Sequence, residues 1–344
     1  MSATVTSALR GVRGARVLAG TVALLLVGAF VVGCASRGQA PASPTLRFDV
    51  ITKTTQKLDS LVWTGTQFLY VENTTNTVWA APPAGHPLAQ FATMPKLVEE
   101  TRCVLSPGRQ GFPPSMIFCH SPDNKIYEIS PNGSSVTVFA TLPAPYPPAS
   151  DGALAFDTVG RFGYRLVAAT GRSGGSQPAG GLVYTIDAQG RAQPVGSYEV
   201  PGGADELVIA PGRFGSVAGD SLLTVDAGGS GAVVAMDSSG RTRTIATFPE
   251  GPNPIAPIPE FPGGTAGTRP PLSGLYLNDD STGFTYLAPE AALAPYAGDV
   301  IVGSEAQPHF WILEPSGNGF AKIPLRNNLP GGTYSFEQAI FVAG

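Results

Sequence analysis

The sequence is poor in charge and has no excess of basic residues. Its 344 residues include 21 lysines and arginines and 25 aspartates and glutamates, which gives a formal net charge of −4. Proteins that bind nucleic acids present clustered positive charge to the phosphate backbone, so this composition predicts no nucleic-acid partner. The three histidines are isolated from one another in the sequence, and structural roles are the expectation for them.

A long amphipathic helix pattern is also missing after residue 34. Instead, 43 glycines and 33 prolines surround short apolar runs, and hydrophobic residues make up 43% of the chain. This composition is too apolar for a disordered protein. It favours many short strands joined by turns, which predicts an all-β fold.

One hairpin pattern recurs along the chain. Residues 182–190 alternate apolar and polar side chains and end in a polar turn closed by Gly190, as in one arm of a β-hairpin. Similar segments end at Gly85, Gly133, Gly240 and Gly317, so that successive closing glycines lie 48, 57, 50 and 77 positions apart. A hairpin that returns roughly every 50 residues is typical of a β-propeller.

The number of blades depends on the two ends of the repeat region. Five consecutive strand groups are assigned as blades, and two strand-like runs, residues 46–53 and 336–343, remain outside them. Pairing these terminal runs in one sheet removes both free edges. We therefore predict a six-bladed propeller closed by pairing of the N- and C-terminal strands, with five blades as the alternative. The longest interval is assigned to insertions at residues 251–271 and 283–295, and residues 274–278 are predicted as the first strand of blade five.

The N-terminal residues have the arrangement of a secretory signal. Residues 1–16 contain three arginines and no acidic residue, and residues 17–33 form an apolar run. The run ends in Val31-Val32-Gly33-Cys34, which resembles the bacterial lipobox. That resemblance implies cleavage before Cys34 and lipid attachment, palmitate included, to this residue. An uncut signal anchor is the alternative, although the run is short for a membrane span.

Three regions follow from this reading. Residues 1–33 are predicted as a lipoprotein signal peptide, residues 34–45 as the lipidated cysteine and a flexible tether, and residues 46–344 as the propeller domain. Without the leader, 18 basic and 25 acidic residues remain. The predicted location is the bacterial cell membrane, with the chain anchored through Cys34 and facing the extracytoplasmic side.

The two other cysteines are predicted to form a disulfide. Cys103 and Cys119 lie in strand-like runs on either side of a turn-rich segment. Neighbouring antiparallel strands bring cysteines within bridging distance, and an exported protein meets an oxidising compartment.

Acidic residues precede or begin most of the predicted first strands. The first strand of a propeller blade lines the axis, so these carboxylates should converge at one end of the central channel. Converging carboxylates repel one another unless a cation or proton offsets the charge, and oxygen ligands favour Ca²⁺ or Mg²⁺. Ordinary turn chemistry is the alternative explanation. Five of six predicted first strands show the pattern, with Ser273 as the exception: Asp59, Glu100, Asp151, Asp205 with Glu206, and Glu337.

Several segments resemble the SMP-30/gluconolactonase family and, more generally, NHL-type propellers. Asp59-Ser60-Leu61-Val62-Trp63 is similar to a Glu-Gly-Pro-x-Trp motif of that family, and Ser150-Asp151-Gly152-Ala153 is similar to its Asn-Asp-Gly segment. The resemblance implies a six-bladed propeller that hydrolyses sugar lactones with one divalent cation, such as calcium, held by Asp59, Asp151 and Asp205. The chain departs from the family pattern because Asp59 replaces a glutamate and Ser150 replaces an asparagine.

The sequence is therefore compatible with two functions, and it does not decide whether the protein is an enzyme. The first is a binding module at the cell envelope, with the membrane reached through Cys34 and an unidentified envelope ligand or protein as partner. The second is a metal-dependent hydrolase of lactone type with its site at the acidic end of the channel. A quinone-dependent sugar dehydrogenase is a third and less favoured reading, because few histidines and lysines begin the predicted strands.

Overall fold

The structure, a computed structural model, describes residues 45–95, 100–143, 152–171, 180–200, 202–260 and 273–342. Cys34, Asp151 and the leader lie outside these ranges. The chain enters through two short strands, β1 (Thr45–Leu46) and β2 (Asp49–Lys53). No helix within the described ranges is long and apolar enough to cross a membrane.

Blades one to four are each built from four consecutive antiparallel strands. Blade one consists of β3 (Leu58–Trp63), β4 (Phe68–Glu72), β5 (Thr77–Ala81) and β6 (Ala89–Thr93). Blade two consists of β7 (Arg102–Leu105), β8 (Ile117–Ser121), β9 (Lys125–Ile129) and β10 (Val136–Thr141). Blade three consists of β11 (Gly152–Phe156), β12 (Leu166–Gly171), β13 (Gly181–Ile186) and β14 (Ala192–Tyr198). Blade four consists of β15 (Gly203–Ile209), β16 (Ser221–Asp226), β17 (Gly231–Met236) and β18 (Thr242–Phe248).

Blades five and six are interleaved in sequence. The elements that follow blade four are, in chain order, β19 (Pro252–Pro257), β20 (Gly274–Asp279), β21 (Phe284–Pro289), α1 (Glu290–Leu293), β22 (Val300–Ser304), β23 (Phe310–Ser316), β24 (Gly319–Asn327) and β25 (Phe336–Val342). Blade five has the strand order β19-β22-β23-β24, and β1 adds a parallel strand to its outer edge. Blade six has the order β25-β20-β21-β2. Short 3-10 helices lie at Gly215–Val217 and Ala294–Tyr296.

This topology confirms six blades and corrects the assignment of blade five. β2 and β25, from the two predicted terminal runs, share the sixth sheet, with β20 and β21 between them, while β1 joins blade five. The segment predicted as the first strand of blade five is β20 of blade six, and the true first strand is β19, inside a segment predicted as an insertion. The prolines of β19 favoured a loop over a strand in the sequence-based prediction. They are tolerated because β19 is an edge strand that pairs only with β22, with an irregular register between Pro252 and Ile255.

The hydrophobic core is divided among the six blade interfaces. Six buried clusters occur, one between each pair of neighbouring sheets, including one between blades six and one. The first strands β3, β7, β11, β15, β19 and β25, called the inner strands below, each lie beside the inner strands of both neighbours. The ring is therefore closed by packing all the way round.

The recurring hairpin glycines have a tertiary explanation. Gly190 has a φ of +75°, and a Cβ added there would overlap the carbonyl oxygen of Phe139 in the outer strand of blade two. Gly133 meets the Phe91 carbonyl of blade one in the same way. A side chain at either position would push the neighbouring blade away, and Gly240 meets the Val195 carbonyl of blade three in the same way. At these three turns the recurring glycine marks a contact with the preceding blade, whereas a Cβ added at Gly317 would meet nothing within 4 Å.

The predicted disulfide is present. Cys103 and Cys119 face each other across β7 and β8, with a Cα–Cα distance of 4.1 Å. Both are buried in the cluster between blades one and two. The bridge therefore fixes the inner edge of blade two beside Arg102, the residue that precedes Cys103.

Candidate functional site

The acidic ends of the inner strands meet around one arginine. Arg102 begins β7 and is buried, with only 1% of its surface exposed. Its Nη1 donates to Asp59 Oδ1 of blade one. Its Nη2 lies 3.0 Å from Glu100 Oε2, just before β7, and 3.0 Å from Glu337 Oε2 of blade six. Its Nε donates to the backbone carbonyl of Asp205 in blade four at 3.2 Å. We call Asp59, Glu100, Arg102, Asp205, Glu206 and Glu337 the axial cluster.

Polar side chains of blades one and six hold the axial cluster in place. Gln338 Oε1 accepts from Ser60 Oγ at 2.8 Å and from the Leu61 backbone N–H at 2.7 Å. Asn278 donates to the Asp59 carbonyl and accepts from the Gln338 N–H at 2.9 Å. This seam joins the first complete blade to the last strand of the chain, and it orients Asp59 toward Arg102.

Burial and mutual repulsion change the acidity of the cluster. Burial raises the pKa of Asp59 to about 7, against the opposing effect of Arg102. Burial likewise raises the pKa of Glu206 to about 8, although Arg102 and the Ile255 N–H, which donates to Glu206 Oε2 at 2.7 Å, favour the charged form. Burial alone would lower the pKa of Arg102, but the surrounding carboxylates raise it well above its ordinary value. The guanidinium of Arg102 is therefore always charged. The carboxyl groups around it outnumber this single cation, so its charge does not offset the effect of burial on the pKa values of Asp59 and Glu206.

The structure places the predicted metal ligands only in part. Asp59 and Asp205 are buried in the axial cluster, and Asp151 lies outside the described residues. Carboxylate oxygens of Asp59, Glu100 and Glu337 lie within 4.8 Å of one another, so a buried acidic group exists at the axis as expected. However, each of these three carboxylates already gives an oxygen to Arg102. This donor set does not fit a resident metal ion, because a guanidinium holds the central position.

The true inner strand of blade five extends the acidic pattern without extending the cluster. Glu250 precedes β19, so acidic residues stand at the start of all six inner strands rather than five. Its carboxylate pairs with His309 Nδ1 at 2.7 Å and does not contact Arg102. Arg102 itself was not singled out from the sequence, since a lone basic residue at a strand start carries no spacing signal.

His120 takes a structural role, as expected. It is buried in β8, where its Nδ1 lies 3.3 Å from the Ala153 carbonyl of blade three. Burial lowers its pKa to about 4, so the ring is neutral at physiological pH. His120 therefore adds no charge beside Arg102, the residue opposite it in the sheet.

A cleft of about 530 Å³ opens at the other end of the inner strands. Val159 from blade three, Ile209 from blade four and Ile258 from blade five contribute its aliphatic surface. Arg213 and Glu260 form a 3.0 Å ion pair at the cleft, and both are exposed. We call this the distal cleft; it is lined by Thr158, Val159, Ile209, Pro211, Gly212, Arg213, Pro257, Ile258, Pro259, Glu260 and Gly298.

The wall that carries Val159 is fixed by a buried carboxylate. Asp157 accepts backbone N–H groups of Val159 at 3.1 Å and Gly160 at 2.8 Å through Oδ1. Its Oδ2 accepts those of Phe162 at 2.7 Å and Tyr164 at 2.9 Å. Four bonds to one side chain hold the 157–164 loop in a single conformation. The cleft is thus bounded by a pre-formed wall, and its volume falls in the range of ligand pockets.

Comparison with known proteins supports the fold and no further identity. No family model matches the sequence, and no curated protein is significantly similar to it. The PQQ-bound aldose sugar dehydrogenase from Streptomyces coelicolor is a structural match at 13% identity and a TM-score of 0.51, over 83% of this chain and 90% of that chain. A nidogen/laminin complex matches at 8% identity and a TM-score of 0.51, over 83% of this chain and 85% of that chain.

A more distant match is a structure named as a gluconolactonase, at 12% identity and a TM-score of 0.44, over 82% of this chain and 94% of that chain. The matches with a TM-score of 0.51 include a sugar dehydrogenase as well as a nidogen/laminin complex. At these identities the likeness establishes a propeller fold, and function has to be argued from the residues of this chain.

Proposed function

We propose that the protein is a lipid-anchored, extracytoplasmic β-propeller that acts as a binding module at the cell envelope, with the distal cleft as its binding site. The observation that carries this proposal is the contrast between the two ends of the axis. The acidic end is filled by Arg102 and its ion pairs, whereas the other end has a pre-formed cleft with aliphatic walls.

The chemistry of the distal cleft favours binding over catalysis. Among its described lining residues, the titratable side chains are Arg213 and Glu260, which pair with each other. General acid–base or nucleophilic catalysis needs a base within hydrogen-bond reach of a reacting group, and the described lining offers no such pair. Aliphatic walls with a charged pair at the edge suit an apolar group of a ligand or partner protein.

A photo-crosslinking experiment tests the cleft. A photoreactive amino acid at Val159, which is 39% exposed, should yield covalent adducts with envelope components in cells. The same amino acid at Val138 is the matched control, because this valine is 51% exposed but lies on the outer strand of blade two. Equal adduct patterns from both positions would contradict a specific site at the cleft.

The anchor is tested separately. The lipobox-like sequence around Cys34 supports processing before this residue and its lipidation. Cys34→Ser should abolish incorporation of labelled palmitate and leave either an unprocessed chain or protein released from the membrane fraction. A processed, membrane-bound Cys34→Ser protein would contradict the anchor but would leave the cleft hypothesis standing.

The second candidate is metal-dependent hydrolysis of a sugar lactone at the axial cluster. The buried group of Asp59, Glu100 and Glu337 is the observation in its favour. A resident cation such as calcium would have to displace Arg102 from three ion pairs, which is why this candidate ranks second. Lactone hydrolysis that is lost in EDTA and restored by Ca²⁺ would reverse the order.

A further inference from the structure

A second pocket lies on the other side of the 157–165 loop from the distal cleft. Its volume is about 320 Å³, at the lower end of the range of ligand pockets. The loop between β7 and β8 forms its blade-two wall, and blade three contributes the 157–165 loop and the turn between β13 and β14. We call it the arginine pocket; the lining residues used below are Gln110, Phe112, Phe162, Arg165, Gln189 and Arg191.

Two arginines make this pocket positive within an acidic chain. Arg165 and Arg191 both line it, whereas Asp187 is the one acidic residue of its described lining. Within the described ranges Arg165 forms no ion pair, and its Nη1 donates to the neutral amide oxygen of Gln193 at 3.1 Å. The charge of Arg165 is therefore not offset by a carboxylate, and the pocket attracts a negatively charged ligand.

The turn between β13 and β14 holds Arg191 in a fixed position. Asp187 Oδ1 accepts the backbone N–H groups of Gln189 and Arg191, each at 3.0 Å, and Asp187 Oδ2 accepts from Arg191 Nε at 2.7 Å. The Nη2 of Arg191 makes only a long contact, 3.4 Å to Gln189 Oε1, and the side chain is 73% exposed. A guanidinium held at Nε keeps its Nη donors for a ligand, in the planar geometry that binds a phosphate or carboxylate group.

The two loops of the arginine pocket contain strained backbone. Gln110 and Tyr164 have φ values of +52° and +59°, in the left-handed region that such residues rarely adopt. Gln110 lines the pocket, and Tyr164 directly precedes Arg165. The Tyr164 backbone is fixed because its N–H donates to Asp157 Oδ2 at 2.9 Å. Strain of this kind is concentrated at ligand sites, and here it sets the positions of one amide and one guanidinium in advance.

The other lining side chains suit a ligand with hydroxyl groups. Gln110 and Gln189 each carry an amide with donor and acceptor atoms, which complements a hydroxyl group because that group also donates and accepts. Phe112 and Phe162, 3% and 5% exposed, add a small apolar surface. A wholly apolar ligand would remove the arginines from water without giving them an acceptor, which is unfavourable.

We propose that the arginine pocket is a binding site for an anionic sugar. Arg165 and Arg191 bind its phosphate or carboxylate group, and the amides of Gln110 and Gln189 bind its hydroxyl groups. The site is separate from the distal cleft and takes a ligand of different chemistry. It does not depend on which partner the distal cleft binds.

Calorimetric titration of the purified full chain with glucose 6-phosphate and with glucuronate tests this proposal. At least one of the two should bind saturably with a Kd below about 1 mM. Glucose, which lacks the negative charge, should bind at least about tenfold more weakly. Arg165→Gln and Arg191→Gln should each weaken binding of the anionic sugar at least about tenfold, because each removes a charge-assisted hydrogen bond.

Arg241→Gln is the matched control. Arg241 occupies the equivalent turn of blade four, where Asp237 accepts the backbone N–H groups of Ser239 and Arg241 and the Nε of Arg241 in the same pattern. Its side chain is 83% exposed and does not line the arginine pocket. Arg241→Gln should therefore leave the Kd of the anionic sugar unchanged.

Absence of saturable binding by both anionic sugars overturns the proposal. Equal binding of glucose also overturns it, and so does an equal loss in Arg241→Gln, which would indicate attraction to any exposed arginine. Inorganic phosphate that binds as tightly as glucose 6-phosphate would overturn the assignment to a sugar. If Arg191→Gln does not fold because its turn is lost, Arg165→Gln decides the outcome, since the bond of Arg165 to Gln193 is exposed.

Discussion

Arg102 Nη2 lies 3.0 Å from Glu337 Oε2, and this buried ion pair joins the first strand of blade two to the last strand of the chain, 235 residues away. Neighbouring blades in a propeller are held mainly by apolar packing. Here a charged contact crosses the axis between blades that are not adjacent. The ring is therefore closed from its centre as well as at the seam between blades six and one.

Loss of Arg102 should be costly. Arg102→Met keeps much of the apolar stem but leaves Asp59 and Glu337 buried without their cation. Breaking a buried ion pair by removing one partner costs about 3 to 5 kcal/mol, and this loss of unfolding free energy can be measured by urea denaturation. Arg243 is the matched control, an exposed arginine that donates to Ser216 Oγ and to the Asn318 carbonyl. Arg243→Ala should cost less than about 1 kcal/mol, because exposed polar contacts contribute little to stability. Equal losses for the two variants would contradict a central role for Arg102.

Stability should fall as the pH rises above the acidic range. The folded protein binds protons at Asp59 and Glu206 more tightly than the unfolded chain, because burial raises their pKa values from 3.8 to about 7 and from 4.5 to about 8. Their contribution is therefore complete below about pH 4 and is lost as the pH rises through about 8. Urea unfolding across this range should show it, and Glu206→Gln should flatten the profile.

The disulfide should stabilise the domain by constraining the unfolded chain. Cys103 and Cys119 are 16 residues apart in sequence. Closing a loop of that length is worth about 3 kcal/mol in the chain-entropy account. The double variant Cys103→Ala/Cys119→Ala should lose about this amount in urea unfolding, and a reductant should then have no further effect on it. If the double variant unfolds at the same urea concentration as the wild type, the hydrogen-bonded pairing of β7 with β8 holds these strands together without the bridge.

The turn glycines should differ in their tolerance of a side chain. Gly190→Ala combines a positive φ with an overlap on the Phe139 carbonyl, so a loss of about 2 to 5 kcal/mol is expected from backbone strain and overpacking together. Gly317→Ala is the matched control, since its φ is also positive but an added Cβ would meet nothing within 4 Å. It should lose only about 1 to 2 kcal/mol. Similar Tm values for the two variants would contradict the blade-contact explanation of Gly190.

Much of the architecture could be read from local patterns. The alternation of residues 182–190 and the spacing of its related turns predicted a propeller, because strand periodicity and turn chemistry are local properties. The disulfide was predictable for a similar reason, as two cysteines on adjacent strands of one hairpin face each other. Blade five was not predictable in the same way, since β19 and β20 follow each other in sequence but belong to different sheets.

Part of the candidate site was likewise predictable from local sequence, and part was not. Acidic residues at the starts of inner strands are visible in the sequence once the repeat is known, and Glu250 joins that pattern when β19 is placed correctly. Which acids converge, and on what, is a matter of distances between blades. Arg102 is one basic residue among 21 in the sequence, and no local signal distinguishes it.

The sequence by itself determined the all-β class, the propeller repeat, the cysteine pair and the acidic character of one end of the axis, because each depends on residues close together in the chain. Only the tertiary structure decided that the acids surround a guanidinium, that the interleaved strands of blades five and six complete the ring, and that an open cleft lies at the opposite end. These features depend on contacts between segments up to hundreds of residues apart, where burial and charge act through space and not along the sequence.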